Sequence, residues 1–106
     1  MNNTPVTTRI IQRPSKDKQG LYEQWLNEII PVAKSFEGHR GVNVIRPHHP
    51  HEDYTIILHF DSEQSLQNWL ESKERLALVE KIRPHLSIDE IIEIETGLEF
   101  WFTPPA

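Results

Sequence analysis

The chain has 106 residues, with 11 basic and 16 acidic side chains and a formal net charge of −5. This length predicts a single domain over residues 1–106, and the acidic balance argues against nucleic acid or an anionic membrane surface as the main partner. The absence of cysteine excludes a disulfide scaffold and a thiol nucleophile. Because the sequence shows no signal-type segment and no apolar run of ~18 residues, we expect a cytoplasmic protein without a membrane span.

The first half of the chain predicts a strand, a helix and a second strand. Residues 6–13 alternate β-branched and polar side chains and end at Pro14, as half-buried strands do. A helix follows, and Pro31 within it predicts a kink or a local break because proline removes one backbone hydrogen bond. Residues 42–46 predict the second strand. The main apolar face of the helix is predicted to carry Leu21, Trp25, Ile29 and Phe36.

The next part predicts a third strand and two helical segments. Residues 53–60 carry apolar side chains on both faces, which is typical of a strand that is covered on both sides. Asp61 or Ser62 can cap the first helical segment, and Ser72 can cap the second. The apolar residues of the second segment are Leu76, Val79 and Ile82.

The C-terminal part predicts a fourth strand over residues 88–95, where the pair Ile91-Ile92 interrupts the alternation and predicts a bulge. The aromatic tail over residues 98–106 predicts one further extended and buried segment. The order β-α-β-β-α-β is that of a ferredoxin-like split βαβ, an α+β fold. Helices would cover one face of the sheet, so a second copy is predicted to cover the other in a homodimeric α+β barrel.

Four stretches of the sequence resemble the antibiotic biosynthesis monooxygenase superfamily, the dimeric α+β barrel proteins. They are residues 38–47, 54–61, 66–72 and 96–104. The ending GLEFWFTPP is similar to one uncharacterised branch of the superfamily. The resemblance implies a homodimer with a pocket between sheet and helices, and oxidation of phenolic or quinol-type compounds by dioxygen without a metal or flavin cofactor.

The leading interpretation is therefore a cofactor-independent monooxygenase that acts on a small, hydrophobic, aromatic ligand. The alternative is a non-catalytic module of the same fold, which either binds a small molecule or serves as a structural dimer. A group of relatives degrades haem with an Asn on the first strand, a Trp after the third strand and a His on the next helical segment. Trp69 matches that Trp, but Thr8 lies near the Asn position and Leu78 or Val79 near the His position. The resemblance thus implies that haem is not degraded.

Three residues are predicted to be catalytic. The indole N–H of Trp69 can donate to a substrate oxygen, although a Trp here can also simply fill the core. His59 can take a phenolic proton, since its unperturbed pKa is about 6.5, or it can be a structural histidine at an interface. Asn43 can orient a carbonyl or form a surface hydrogen bond. The predicted substrate pocket is completed by Tyr54, Leu58 and Ser65, of which Ser65 holds the position of an Asn in the phenol-oxidising relatives.

Two other polar clusters are predicted to have no chemical role. Residues 48–53, with sequence HHPHED, have the composition of a metal site, but their spacing matches no structural zinc pattern, so no metal is expected. Glu90, Glu93 and Glu95 are interpreted as a solvated strand edge. The sequence contains no dinucleotide fingerprint, P-loop or nucleophile elbow, and no cofactor is expected.

Overall fold

The computed structural model describes residues 4–49 and 52–96. The predicted tail over residues 98–106 lies outside the described residues. The elements are β1 (Val6–Gln12), α1 (Gln19–Lys34), β2 (His39–Ile45), β3 (Tyr54–Phe60), α2 (Glu63–Leu70), α3 (Lys73–Ile82), a 3-10 turn (Arg83–His85) and β4 (Ile91–Thr96). The predicted order of strands and helices is confirmed.

The four strands form one antiparallel sheet in the order β2-β3-β1-β4. This order, with the helices inserted after β1 and β3, is the ferredoxin-like α+β fold predicted from the sequence. Side chains alternate between an inner face, which packs against the helices, and an outer face. The inner residues of β3 are all buried: Tyr54, Ile56, Leu58 and Phe60.

The core lies between the inner face and the three helices. From α1 it receives Tyr22, Trp25, Leu26, Ile29 and Ala33. Leu21, predicted to lie on this face, is exposed, and Tyr22 points inward instead. Each fully buried large apolar side chain contributes about 1.5–3 kcal/mol before the loss of conformational entropy is subtracted.

Of the two predicted outcomes at Pro31, a local break of α1 is wrong, while a kink stays a prediction. The helix continues through Pro31 to Lys34, and the Ser35 N–H donates to the Pro31 carbonyl at 3.2 Å. A proline this close to the helix end removes only one hydrogen bond from the helix. Ile29 and Ala33, buried on either side of Pro31, anchor the last turn to the core.

Serine caps define the starts of α2 and α3, as predicted. The Ser62 hydroxyl accepts from the Ser65 N–H at 3.1 Å, and the Ser72 hydroxyl accepts from the Arg75 N–H at 3.1 Å. The position at which α3 starts fixes the rotation of the helix about its own axis. The residues that this rotation buries are Arg75, Val79 and Ile82. Leu76, predicted on the apolar face, is 50% exposed. The register of α3 therefore turns an arginine toward the sheet.

The predicted bulge in the fourth strand is also wrong. The pairing of β1 with β4 runs without a shift from Val6 opposite Thr96 to Ile11 opposite Ile91. Ile91 lies on the outer face and Ile92 on the inner face, so consecutive apolar residues reflect two apolar surfaces. Ile92 and Ile94 remain 38% exposed because β4 is the edge strand. Within residues 4–49 and 52–96, no helix has the length and apolar character needed to cross a membrane.

Candidate active site

A cavity lies between α1 and the inner face of the sheet, and side chains of α2 and α3 also line it. Its free space is about 340 Å³ including the open mouth, of which about 20 Å³ admits the centre of a water molecule. The unliganded space therefore holds roughly one water, and an aromatic ligand must displace side chains to enter. Most of the lining is apolar, while the side chains that carry polar atoms are Gln12, Trp25, Trp69, Arg75 and Glu90.

Trp69, near the end of α2, is one of the side chains that line this cavity. Trp69 is 1% exposed, and its ring packs against Phe36. Its Nε1 is buried and has no hydrogen-bond partner in the described part of the chain. An indole N–H can only donate, and leaving a buried donor unpaired costs about 1–3 kcal/mol. The Trp25 Nε1, by contrast, donates to the Leu78 carbonyl at 2.7 Å.

A buried polar network lies at another part of the cavity wall. The Arg75 Nη2 donates to the Glu90 Oε1 at 2.7 Å, and the Gln12 Nε2 donates to the same oxygen at 2.8 Å. The Tyr22 hydroxyl donates to the Gln12 Oε1, which fixes the orientation of that amide. Arg75 is 4% exposed, so this is a cation buried with its carboxylate partner. Such a pair is tolerated because each charged group keeps hydrogen bonds inside the protein.

The tyrosines beside this network are held in their neutral form. Burial, with smaller contributions from nearby Tyr54 and Glu90, raises the pKa of Tyr22 far above its ordinary value. The Tyr54 hydroxyl donates to the Glu23 Oε2 at 2.6 Å, and burial followed by this hydrogen bond raises the pKa of Tyr54. The Arg46 guanidinium, hydrogen-bonded to Glu23, lowers the pKa of that carboxyl. The two phenols therefore act as O–H donors within the structure.

The three predicted pocket residues have different surroundings. Leu58 lines the cavity together with Trp69. Tyr54 lies on the inner face but belongs to the hydrogen-bond network of Glu23. The Ser65 hydroxyl lies 3.1 Å from the Ser62 hydroxyl, near the turn that contains Gly38. Only Leu58 of the three is thus among the cavity-lining side chains.

His59 and Asn43 lie on the outer face of the sheet. The His59 Nδ1 is 3.0 Å from the Thr7 hydroxyl, and Asn43 is opposite Ile57 in the β2–β3 pairing. The sheet backbone separates both side chains from the cavity beside Trp69. The structure therefore corrects the prediction of one site shared by His59, Asn43 and Trp69, because alternation along the strands places the first two on the wrong face. A role for either residue on the outer face stays a prediction.

The sequence interpretation missed the polar network of the cavity. Glu90 was grouped with a solvated edge, but its side chain is 14% exposed and bound to Arg75. Glu93 and Glu95 do lie on the outer face, where both are within ion-pair distance of Arg9. Two patterns could have revealed the network. The inner positions of β1 end on Gln12, and Arg75 is four residues from Val79, on the buried face of α3.

Within the ranges 4–49 and 52–96, no group of three or more His, Asp or Glu side chains is arranged to hold a metal ion. Thr8, which replaces the Asn of the haem-degrading relatives, is fully buried, and its hydroxyl donates to the Glu93 carbonyl at 2.9 Å. The hydrogen bond of that hydroxyl therefore links β1 to β4. The prediction that haem is not degraded stays a prediction.

Comparison with known proteins identifies related sequences and folds. The family model described as antibiotic biosynthesis monooxygenase matches residues 6–81. An uncharacterised protein of Synechococcus elongatus is 26% identical over 103 residues. The match covers 95% of this chain and 50% of that relative, so the chain spans about half the relative's length.

Solved structures show the same fold. A candidate antibiotic biosynthesis monooxygenase of Nitrosomonas europaea superposes with a TM-score of 0.81 at 9% identity, covering 92% of this chain and 94% of the other. One from Caulobacter crescentus gives 0.81 at 12% identity, covering 90% and 91%. A conserved protein of Methanosarcina mazei gives 0.80 at 15% identity, covering 90% and 94%. At these identities the similarity establishes the fold alone.

Proposed function

The chain belongs to the antibiotic biosynthesis monooxygenase family, and from that premise we propose that it oxidises a small aromatic compound with dioxygen in the cavity beside Trp69. The observation that carries this proposal is the Trp69 Nε1, a buried donor without a partner in the described chain, which belongs to a side chain that lines a mainly apolar cavity. An aromatic ring fits the apolar lining, and an oxygen substituent supplies the acceptor that the indole lacks.

Glu90 is the proposed base. It is the carboxylate among the cavity-lining side chains, whereas His59 lies on the outer face. Glu90 takes the proton of a phenol or enol hydroxyl, so that the substrate becomes an electron-rich anion. Trp69 donates to an oxygen of the substrate and holds the ring in place.

The oxidation balances with dioxygen and the substrate alone. The substrate anion transfers one electron to dioxygen, and the resulting radical and superoxide combine to form a carbon–oxygen bond. The peroxide takes the proton back from Glu90 to form a hydroperoxide. Loss of water, which breaks the O–O bond and the C–H bond of the same carbon, leaves a carbonyl. In sum, a phenol and dioxygen give a quinone and water.

We also propose that two copies associate through the outer face of the sheet. This face presents the side chains of Ile11, Ile57 and Ile91, of which Ile91 is exposed. Ile45 at the end of β2 is exposed on the same face. A sheet face with this apolar content is suited to a two-fold interface between identical subunits, as the resemblance to dimeric α+β barrels implies.

Oxygen uptake with a panel of anthrones and dihydroxynaphthalenes tests the oxidation. The wild-type protein should consume oxygen above the uncatalysed rate with at least one compound. Trp69→Phe, which keeps a ring but removes the N–H, should lower that rate at least about tenfold. Asn68→Ala, at an exposed neighbouring position of α2, should leave the rate unchanged. No uptake above background, or equal rates for wild type and Trp69→Phe, would contradict the proposal.

A non-catalytic binding protein is the second candidate function. The observation that favours it is that the Glu90 Oε1 already accepts hydrogen bonds from Gln12 and Arg75, so the carboxylate proposed as the base has partners within the protein. Native mass spectrometry of the purified protein distinguishes the two functions. A bound aromatic compound that is released unchanged in the presence of dioxygen would favour binding over oxidation.

A further inference from the structure

The cavity contains a ready-made position for an anionic oxygen. The Glu90 Oε1 occupies it now, at 2.7 Å from the Arg75 Nη2 and 2.8 Å from the Gln12 Nε2. Gln12 is held by the Tyr22 hydroxyl, and the backbone N–H of Arg75 is held by the Ser72 cap. The Gln12 donor is therefore fixed by a contact that does not depend on Glu90, while the Ser72 cap fixes the backbone of Arg75 and not its guanidinium.

Glu90 itself is the displaceable member of this arrangement. It directly precedes β4, in a segment without regular structure. Its side chain lines both the inner cavity and a wider recess formed with residues 83–89. A carboxyl group at this boundary can leave the two donors and move toward the recess. An oxygen of a bound ligand can then take its position.

Arg75 and Trp69 together restrict the chemistry of that ligand. Both side chains are donors only, so the ligand must present acceptors to both. The guanidinium also carries a positive charge. Once the Glu90 carboxylate has withdrawn or taken up a proton, a buried cation of this kind needs another anion beside it.

Resting on the proposed function, we infer that Arg75 is the specificity-determining residue of the cavity and selects aromatic ligands with an acidic hydroxyl. The hydroxyl proton passes to Glu90: the ligand O–H bond breaks, the Glu90 O–H bond forms, and the total charge of the site is unchanged. The oxyanion then binds Arg75 and Gln12, while a second oxygen of the ligand accepts from the Trp69 Nε1. Aromatic compounds without the acidic hydroxyl lose the interaction with Arg75.

Two quinones that differ in one hydroxyl test this inference. 2-Hydroxy-1,4-naphthoquinone is ionised in neutral buffer, so its oxyanion binds directly and Glu90 takes up one proton from the buffer; 1,4-naphthoquinone has the same rings without the hydroxyl. The chain has no cysteine with which quinones would react. Isothermal titration of the intact protein should give at least tenfold tighter binding of the hydroxyquinone. Trp69→Phe should weaken both ligands, because both carry carbonyl acceptors.

The paired variant Arg75→Met/Glu90→Gln removes the charge without leaving a buried ion unpaired, so the fold is retained. It should bind the two quinones equally. The matched control is Lys81→Met/Glu28→Gln, which makes the corresponding changes at an exposed basic–acidic pair away from the cavity and the recess and should keep the preference. Equal affinities in the wild type, a preference that survives in Arg75→Met/Glu90→Gln, or no binding of either quinone would overturn the inference. The measurement needs no oxygen uptake, so selective binding without turnover would refute the oxidation and leave the inference standing.

Discussion

Trp69 and Phe36 meet edge to face, with ring centroids 5.0 Å apart and ring planes at 68°. Phe36 follows the end of α1 and Trp69 lies near the end of α2, so the contact ties two helices together and fixes the indole ring. An edge-to-face pair contributes about 0.5–1.5 kcal/mol beyond the area it buries. Packing thus holds the indole in place, while its N–H has no hydrogen-bond partner in the described part of the chain.

Substitution of Trp69 should separate packing from hydrogen bonding. Trp69→Phe keeps an aromatic ring beside Phe36 and removes an unpaired buried donor, so the free energy of unfolding should fall by no more than about 1–2 kcal/mol. Trp69→Ala leaves a cavity in the core and should cost about 3–5 kcal/mol. Urea denaturation followed by circular dichroism measures both. A loss from Trp69→Phe as large as that from Trp69→Ala would show that the N–H has a structural partner.

Gly38 should not tolerate a side chain. Its φ is +90°, and a Cβ there would lie 2.4 Å from the Ser65 Oγ and 2.5 Å from the Asp61 Oδ1. Gly38→Ala should lower the free energy of unfolding by at least about 1–3 kcal/mol, the cost of strain alone. Gly20→Ala is the control, since no atom lies within 4 Å of its added Cβ and the helix should gain up to about 1 kcal/mol. Equal melting temperatures for the two variants would contradict this account of the turn.

Stability should decline at alkaline pH because of the two buried tyrosines. Burial raises the pKa values of Tyr22 and Tyr54 above the ordinary value near 10, and these are both tyrosines of the chain. In the unfolded chain the two tyrosine hydroxyls ionise near pH 10, while in the folded chain they stay neutral at that pH. Their contribution to the free energy of unfolding is therefore complete below pH 10 and is lost as the pH rises above it. Absorbance at 295 nm should show no ionisation near pH 10 in the folded protein. Titration of both phenols near pH 10 with unchanged circular dichroism would refute the prediction.

The outer face should govern association. Sedimentation equilibrium at about 10 μM should give twice the chain mass of 12.5 kDa, because obligate interfaces of this kind bury about 2,000 Å² or more. Ile57→Lys places a charge in the middle of that face. The variant should be a folded monomer, or a less stable protein that stays in solution. Ala77→Lys, at an exposed position of α3, should remain dimeric. A monomeric wild type would refute the proposed interface.

Most of the fold could be predicted because it follows from local patterns. Alternation predicts β1, a run of apolar residues on both faces predicts β3, and serine caps predict the starts of α2 and α3. The errors came from treating elements in isolation. Pro31 does not end α1 because packing of its last turn outweighs one lost hydrogen bond. Ile91-Ile92 is no bulge because both faces of the edge strand carry apolar residues.

The candidate site was harder to predict, since it depends on which strand face meets the helices. Trp69 and Leu58, which pattern and resemblance predict, both line the cavity, and their role there stays a prediction. His59 lies one residue from Leu58 but on the opposite face, and one step along a strand reverses the direction of the side chain. Arg75 and Glu90 are far apart in sequence and are joined only by the tertiary fold, so composition alone suggested a solvated edge for Glu90.

The indole N–H signal of Trp69 tests the central claim most directly. The chain has three tryptophans, so a ¹H–¹⁵N spectrum contains three indole N–H signals, and Trp69→Phe identifies the one that belongs to Trp69. Addition of 2-hydroxy-1,4-naphthoquinone should shift that signal downfield, as a donor gains an acceptor, while the Trp25 signal, already bonded to the Leu78 carbonyl, moves much less. An unchanged Trp69 signal at a quinone concentration that saturates binding would contradict a ligand site beside Trp69.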